Sequence, residues 1–286
     1  MPQIKKIIIT VCVLLKVAAA PAQNTGYGLL IGATKTFDFT RFGSASVAKA
    51  DKDADLINDI LISSGFHAQD IKLLKGMDAN VKNVINSLTD FSKKVKKGDM
   101  FVVYFSGHGD TILDTNHDEL PYTFDQRIIL ADGAVVDDAL FDIFNKFKDS
   151  VRIVFIADAC FSGEMYQMRN MFTGLRISGL RDVESTGMQN YNSGGCNVRI
   201  DSAGFSMLYI GSVDRTSLST PFPDGSGRLT RWIHDAWYYL KSRNLLEPLS
   251  MLDFFKQACF SSSQTIITII QNKNKDVFGK KHLFKL

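Results

Sequence analysis

The chain has 286 residues, 45% of them hydrophobic and 22% charged. That is enough for a full core in one large domain or two small ones, and the composition excludes a disordered or fibrous protein. The formal net charge is +3, but residues 1 to 22 hold three lysines and no acid. Without them the charge is near zero, and no basic field remains to argue for nucleic acid.

In chain order, Lys5 and Lys6 precede a mostly apolar run, Ile7 to Leu15, and small residues follow from Ala18 to Ala22. This is the order of a secretory signal, with cleavage expected after Ala22 or Gln23 and export to the periplasm or beyond the cell. The apolar run is too short to span a bilayer as an ordinary helix. Lys16 at its end leaves a simple hydrophobic anchor as the alternative. No later segment has the length of a membrane helix, so no span is expected in the mature chain. Of Cys12, Cys160, Cys196 and Cys259, the first would leave with the signal. Three thiols allow at most one disulfide; Cys196 and Cys259 could pair in an oxidising compartment, and the sequence does not decide. No zinc-ligand spacing occurs.

Residues 27 to 32 (YGLLIG) read as a short buried strand. Val47, Ala50, Ala54, Ile57 and Leu61 then recur at helical spacing, up to Gly65. IKLL (71 to 74) is a strand. Asp78 is placed to cap the next helix, whose apolar face runs from Val81 to Val95 and whose C-terminal lysines suit the helix dipole. MFVVYF (100 to 105) is apolar throughout, as a central parallel strand should be. QRIIL (126 to 130), VRIVFIA (151 to 157) and SMLYIG (206 to 211) read as further strands. DDALFDIFNKF, RLTRWIHDAWYYL and LSMLDFFKQACF read as helices. Residues 163 to 204, with seven glycines and no sustained periodicity, read as a long loop. Strands alternating with helices imply an α/β fold, a mainly parallel sheet covered on both faces, in one domain over residues 24 to 286.

Two of the most apolar strands run into SGHGD (106 to 110) and DACFSG (158 to 163). Ligands of an open parallel sheet gather at the carboxyl ends of its strands. Cys160 and His108 would there make a nucleophile and a proton carrier. The backbone N–H groups of Gly109 and Cys160 are candidates to hold an oxyanion, a donor commonly worth about 3 to 4 kcal/mol of barrier. A lone cysteine or histidine after a strand is usually structural; the pair, each beside Ser and Gly, is what argues for chemistry.

SGHGD followed by DACFSG resembles the caspase superfamily of cysteine peptidases, and within it the metacaspases and their bacterial relatives (peptidase C14 type). The separation of His and Cys fits the caspase spacing of about 50 residues, although the QAC[RQG]G signature is not met. YGLLIG, the KDADL helix, KKGDMFVVYFSGHGD and YIGSVDRTSLS fall in family order, so the resemblance covers most of residues 27 to 240. It implies a caspase-like three-layer sandwich. It also implies an endopeptidase acting through a Cys160/His108 dyad, with no third residue needed to orient the histidine.

Carried over residue by residue, Asp53, Ser106 and Asp158 match the acidic S1 pocket of metacaspases. Two carboxylates facing a slot select a guanidinium or ammonium group, so peptide or protein substrates with Arg or Lys before the scissile bond are expected. Asp214 falls where the family lines its substrate cleft. The chemistry requires no cofactor. Calcium activates many metacaspases, and Asp137 and Asp138 stand near where family acids bind it; Gln167, where the family often has an acid, weakens that match. Caspase-like enzymes are often cut after the catalytic-cysteine strand, which makes Arg169, Arg176, Arg181 and Arg199 candidates for self-processing. A monomer is expected. The competing readings are an inactive caspase-like module that binds peptides or partners, and a caspase-fold peptidase of other specificity, gingipain-like or Asp-directed.

Overall fold

The computed structural model describes residues 24–36, 49–115, 124–148, 150–162, 197–202, 204–213, 219, 221–246, 249–258 and 266–271, with the backbone alone for 197–202, 256–258 and 266–271. The expected strands form where the apolar runs stand: β1 (Gly26–Gly32), β2 (Ile71–Lys75), β3 (Met100–Ser106), β7 (Arg152–Asp158) and β9 (Ser206–Gly211). With β8 (Asn197–Ser202) and β10 (Ile266–Gln271) they make one seven-stranded sheet in the order β2-β1-β3-β7-β9-β10-β8. All neighbouring pairs are parallel except β9 with β10.

Alternate residues of the central strands feed two separate cores, because successive side chains of a strand point to opposite faces. On one face Leu29, Ile31, Phe101, Val103, Phe105, Ile153 and Phe155 pack with α2 (Val81–Lys94) and α3 (Asp137–Phe144). On the other, Leu30, Val102, Tyr104, Val154 and Ile156 pack with α1 (Ala50–Ser63), α4 (Arg228–Ser242) and α5 (Met251–Ala258). The result is the three-layer α/β sandwich that the sequence implies.

Three local expectations change. The cap of α2 is Asn80, whose side chain accepts from the Asn83 N–H at 2.9 Å, and not Asp78, which belongs to a short 3₁₀ turn before it. The strand read at QRIIL is β5 (Phe124–Ile129), and it lies outside the main sheet, between β4 (Gly109–Leu113) and β6 (Ala134–Val136) in a small antiparallel one. The segment read as a loop over 163 to 204 contains β8, which is aligned by pairing with β10. A strand held by a partner 69 residues later leaves little trace in its own local pattern.

The junction of β1 with α1 is tight. A Cβ built on Gly32 would lie 2.5 Å from the Ala50 carbonyl oxygen and 2.7 Å from the Asp51 Cα, both backbone atoms. Only a residue without a side chain lets α1 begin there, and the register of α1 places Asp53. Gly32→Ala is therefore expected to cost about 1–3 kcal/mol, read as a lower urea midpoint with unchanged slope. Wild-type stability in that variant would show that the close approach imposes no constraint.

Candidate active site at the carboxyl edge of the sheet

β3 and β7 are paired in parallel, with Ser106 opposite Asp158. Neighbouring strands lie about 4.8 Å apart, so the chain leaves both at the same level. His108 and Cys160, each two residues beyond that pair, depart from adjacent points of one edge. Gly107 makes the first exit sharp: a Cβ there would fall 2.7 Å from the Phe105 ring and 3.0 Å from the Ala33 methyl. The Ile129 N–H donates to the His108 carbonyl at 3.0 Å. Just beyond, Arg127 meets Asp110 at 2.7 Å across the β4–β5 ladder. The small sheet thus fixes the backbone on both sides of Gly109.

Cys160 sits in a turn whose next residue, Phe161, has φ +54, a left-handed conformation uncommon outside glycine. The surrounding groups hold that turn. The Ser212 hydroxyl donates to the Ala159 carbonyl at 2.9 Å, and the Ala159 N–H donates to Ser212 Oγ at 3.2 Å. The Val213 N–H donates to Ser162 Oγ at 3.3 Å, and the Tyr209 hydroxyl donates to the Ser162 carbonyl. The thiol itself makes only a long contact, 3.8 Å to the Ser219 carbonyl. Burial pushes the Cys160 thiol up; the Ser219 contact opposes this, and the charge of Asp158 adds to it. Burial pushes the His108 imidazole down. Both shifts favour the uncharged form of the group.

Asp53, Ser106 and Asp158 come together. Ser106 Oγ donates to Asp53 Oδ2 at 2.9 Å, and so does the Gly227 N–H at 2.9 Å. Asp158 Oδ2 accepts from the Thr230 N–H at 2.8 Å and the Thr230 hydroxyl at 2.7 Å. A Cβ on Gly227 would sit 2.8 Å from the Asp158 carboxyl carbon and 3.0 Å from Asp53 Oδ2, so both carboxylates converge on one glycine. Relative exposure is 0% for Asp53 and 3% for Asp158. Burial pushes Asp53 up to about 6, the Gly227 N–H opposes this, and the Asp158 charge adds to it. Burial likewise raises Asp158 against its Thr230 bonds. Among the described residues Asp53 Oδ1 has no hydrogen-bond partner.

Gly227, Thr230 and Tyr104, whose hydroxyl bonds Thr230 Oγ1, are site residues that the sequence reading missed, with Ser162 and Ser212 under the cysteine turn. The available signals were slight: a glycine before a helical pattern, a threonine three residues later on its apolar side, and serines after strand ends.

Asp137 is nearly fully buried and is committed to structure. Its Oδ2 accepts from the Gln126 N–H at 3.1 Å and its Oδ1 from the Asp138 N–H at 3.2 Å, tying α3 to β5. Among the described residues no group of three His, Cys, Asp or Glu side chains gathers to hold a metal ion. Asp214, Gln167, Arg169, Arg176, Arg181, Cys196, Cys259 and residues 1 to 22 lie outside the described residues, as does the side chain of Arg199.

Asp53 has a folded pKa of about 6 against an ordinary 3.8. A raised carboxyl favours the fold below pH 3.8, and that contribution is lost as pH rises through 6. The difference corresponds to on the order of 3 kcal/mol. Asp53→Asn is expected to be more stable than wild type at pH 7.5, with the gap closing toward pH 4 in urea denaturation. An equal or lower stability at pH 7.5 would show that the buried charge carries no such cost.

A profile of the family described as metacaspase, peptidase C14 domain, matches residues 40–169, which include His108 and Cys160. Metacaspase-7 and Metacaspase-4 of Arabidopsis thaliana are each 30% identical over 105 residues, 35% of this chain and 26% and 25% of theirs. Metacaspase-2 of the same plant is 33% identical over 111 residues, 35% of this chain and 26% of its own. The aligned segment thus spans about a quarter of the length of these relatives. The fold is shared with a solved protein of Geobacter sulfurreducens, with TM-score 0.64 and 24% identity over 92% of this chain and 99% of that one. It is also shared with Caspase-1 of Spodoptera frugiperda, with TM-score 0.54 and 11% identity over 92% and 90%. Over residues 40–169 the chain is thus similar to the metacaspase peptidase C14 domain, and its sandwich is shared with a caspase.

Proposed function

We propose that the chain is a cysteine endopeptidase that cleaves after Arg or Lys, with Cys160 as nucleophile and His108 as its acid and base. The observation that carries this is the β3–β7 register, which brings SGHG and DAC out of the sheet side by side. The reaction begins with His108 taking the thiol proton as Cys160 Sγ attacks the scissile carbonyl carbon. The N–H groups of Gly109 and Cys160 receive the developing oxyanion. His108 then protonates the leaving amine as the C–N bond breaks, and a thioester remains. Water, deprotonated by His108, hydrolyses it and restores the thiol.

The preference for a basic residue is supported by the buried pair Asp53 and Asp158, neither of which pairs with a Lys or Arg among the described residues. A cation entering beside them supplies the missing countercharge. The order of residues 1 to 22 supports export. Among the described residues no helix is long and apolar enough to cross a membrane.

The test is release of a fluorophore from peptides ending in Arg, Lys or Asp, with and without calcium. Activity after Arg and Lys is expected, with loss to background in Cys160→Ala and His108→Ala. It should be accompanied by labelling of Cys160, and of no other cysteine, by an arginyl chloromethyl ketone. Cleavage after Asp would overturn the reading of Asp53 and Asp158. An unlabelled, silent protein that still binds peptides would favour a binding module. Mass analysis of the same incubations is expected to show cuts after one or more of Arg169, Arg176, Arg181 and Arg199; an intact chain alongside full peptide cleavage would remove self-processing.

A further inference from the structure

The first turn of α4 is built into the acid pair in a way that gives the two carboxylates different tasks. The cap position of this 15-residue helix is Gly227, which has no side chain to bond the first free N–H groups. Asp158, on a distant strand, takes that role. Its Oδ2 accepts the Thr230 N–H, the bond that a local capping side chain would make. The Thr230 hydroxyl adds a second bond to the same oxygen. Thr230 is fully buried, and its Oγ1 also meets the buried Tyr104 hydroxyl. With Thr230 Oγ1 donating to Asp158, Tyr104 is the donor to Thr230, so the chain of hydroxyls has one direction.

Asp53 is held differently. Among the described residues both of its bonds, from Ser106 and from the Gly227 N–H, fall on Oδ2, and the fully buried Oδ1 has none. An unpartnered buried carboxylate oxygen is costly to keep. It is where an arriving guanidinium or ammonium gains most.

We propose that Gly227 and Thr230 are specificity-determining positioning residues. Asp158 caps α4 through Thr230, and the helix in turn holds Asp53 through Gly227 with Oδ1 left to meet the substrate's cation. Asp158 is then chiefly the anchor and Asp53 the group that reads the charge. This rests on the basic-residue specificity proposed above.

Thr230→Val keeps the shape and the N–H but removes the hydroxyl; Thr230→Ser restores it. The probe is agmatine, which carries the arginine guanidinium, read as a shift in the melting temperature of the full chain. Agmatine is expected to raise the melting temperature of wild type and Thr230→Ser, and to raise that of Thr230→Val by less than half as much. With Arg peptides Thr230→Val should raise KM about tenfold while leaving kcat within about twofold. Peptides with norleucine in place of Arg should show no change in KM, which a general loosening of the fold would not spare. A wild-type agmatine shift and KM in Thr230→Val would overturn the proposal while leaving the basic specificity intact. A wild type that neither responds to agmatine nor prefers Arg over norleucine would sink the specificity and this proposal together. Gly227→Ala, which sets a methyl against both carboxylates, gives a second reading should Thr230→Val fail to fold. Loss of the agmatine response is expected there too, and a full response would count against the proposal.

Discussion

Two carboxylates with almost no water around them organise the carboxyl edge of this sheet. Asp53 and Asp158 converge on the backbone of Gly227 and repel one another. A globular protein would ordinarily neutralise such a pair with arginine or replace it with apolar side chains. Here each is instead given two neutral donors and left short of a cation. Neutral donors stabilise a charge without cancelling it. The pair is therefore kept charged at a cost to the stability of the fold, which the proposed basic specificity would explain.

The same economy of charge extends to Cys160 and His108. Cys160 and His108 are both partly shielded, and shielding pushes the thiol up and the imidazole down. Each shift favours the neutral form. On the reading proposed above, Cys160 becomes nucleophilic as its proton moves to His108, so the setting of both loops matters, because proton transfer and attack depend on geometry. The Ser212, Ser162 and Tyr209 bonds under the cysteine turn and the Ile129 bond to the His108 carbonyl provide that setting.

Much of this could be read from the chain. The central strands are nearly all apolar, and their ends carry the chemistry, so β1, β3, β7 and β9 and the placement of His108 and Cys160 were legible. Asp53 and Asp158 were legible only through a family resemblance, since Asp51, Lys52 and Asp55 beside Asp53 read equally as a solvated helix face. What escaped was decided by distant partners. β8 and β10 pair with each other, and IITII with its short polar flanks gives no period that separates strand from helix. Asp78 looked like a cap by type, but the chain turns once more and Asn80 has the geometry. Gly227 and Thr230 carry no residue-type signal for a charge-reading site; their importance lies in which atoms face them.

The bonds that build the slot also determine when it can exist. Asp53 lies on the first helix, Ser106 on the third strand, Asp158 on the seventh, and Gly227 and Thr230 open the fourth helix. The Gly227 bond to Asp53 spans 174 residues and the Thr230 bond to Asp158 spans 72. Closing such separations costs chain entropy that local contacts do not return. The buried acids would be an unsupported liability in any partly folded state lacking α4. They become tolerable only when the start of that helix docks and delivers its N–H groups. The arrangement of the acids is thus coupled to completion of the fold around it: a chain that has formed the sheet and α1 but not seated α4 has both strand ends in place and lacks the N–H groups that hold Asp53 and Asp158.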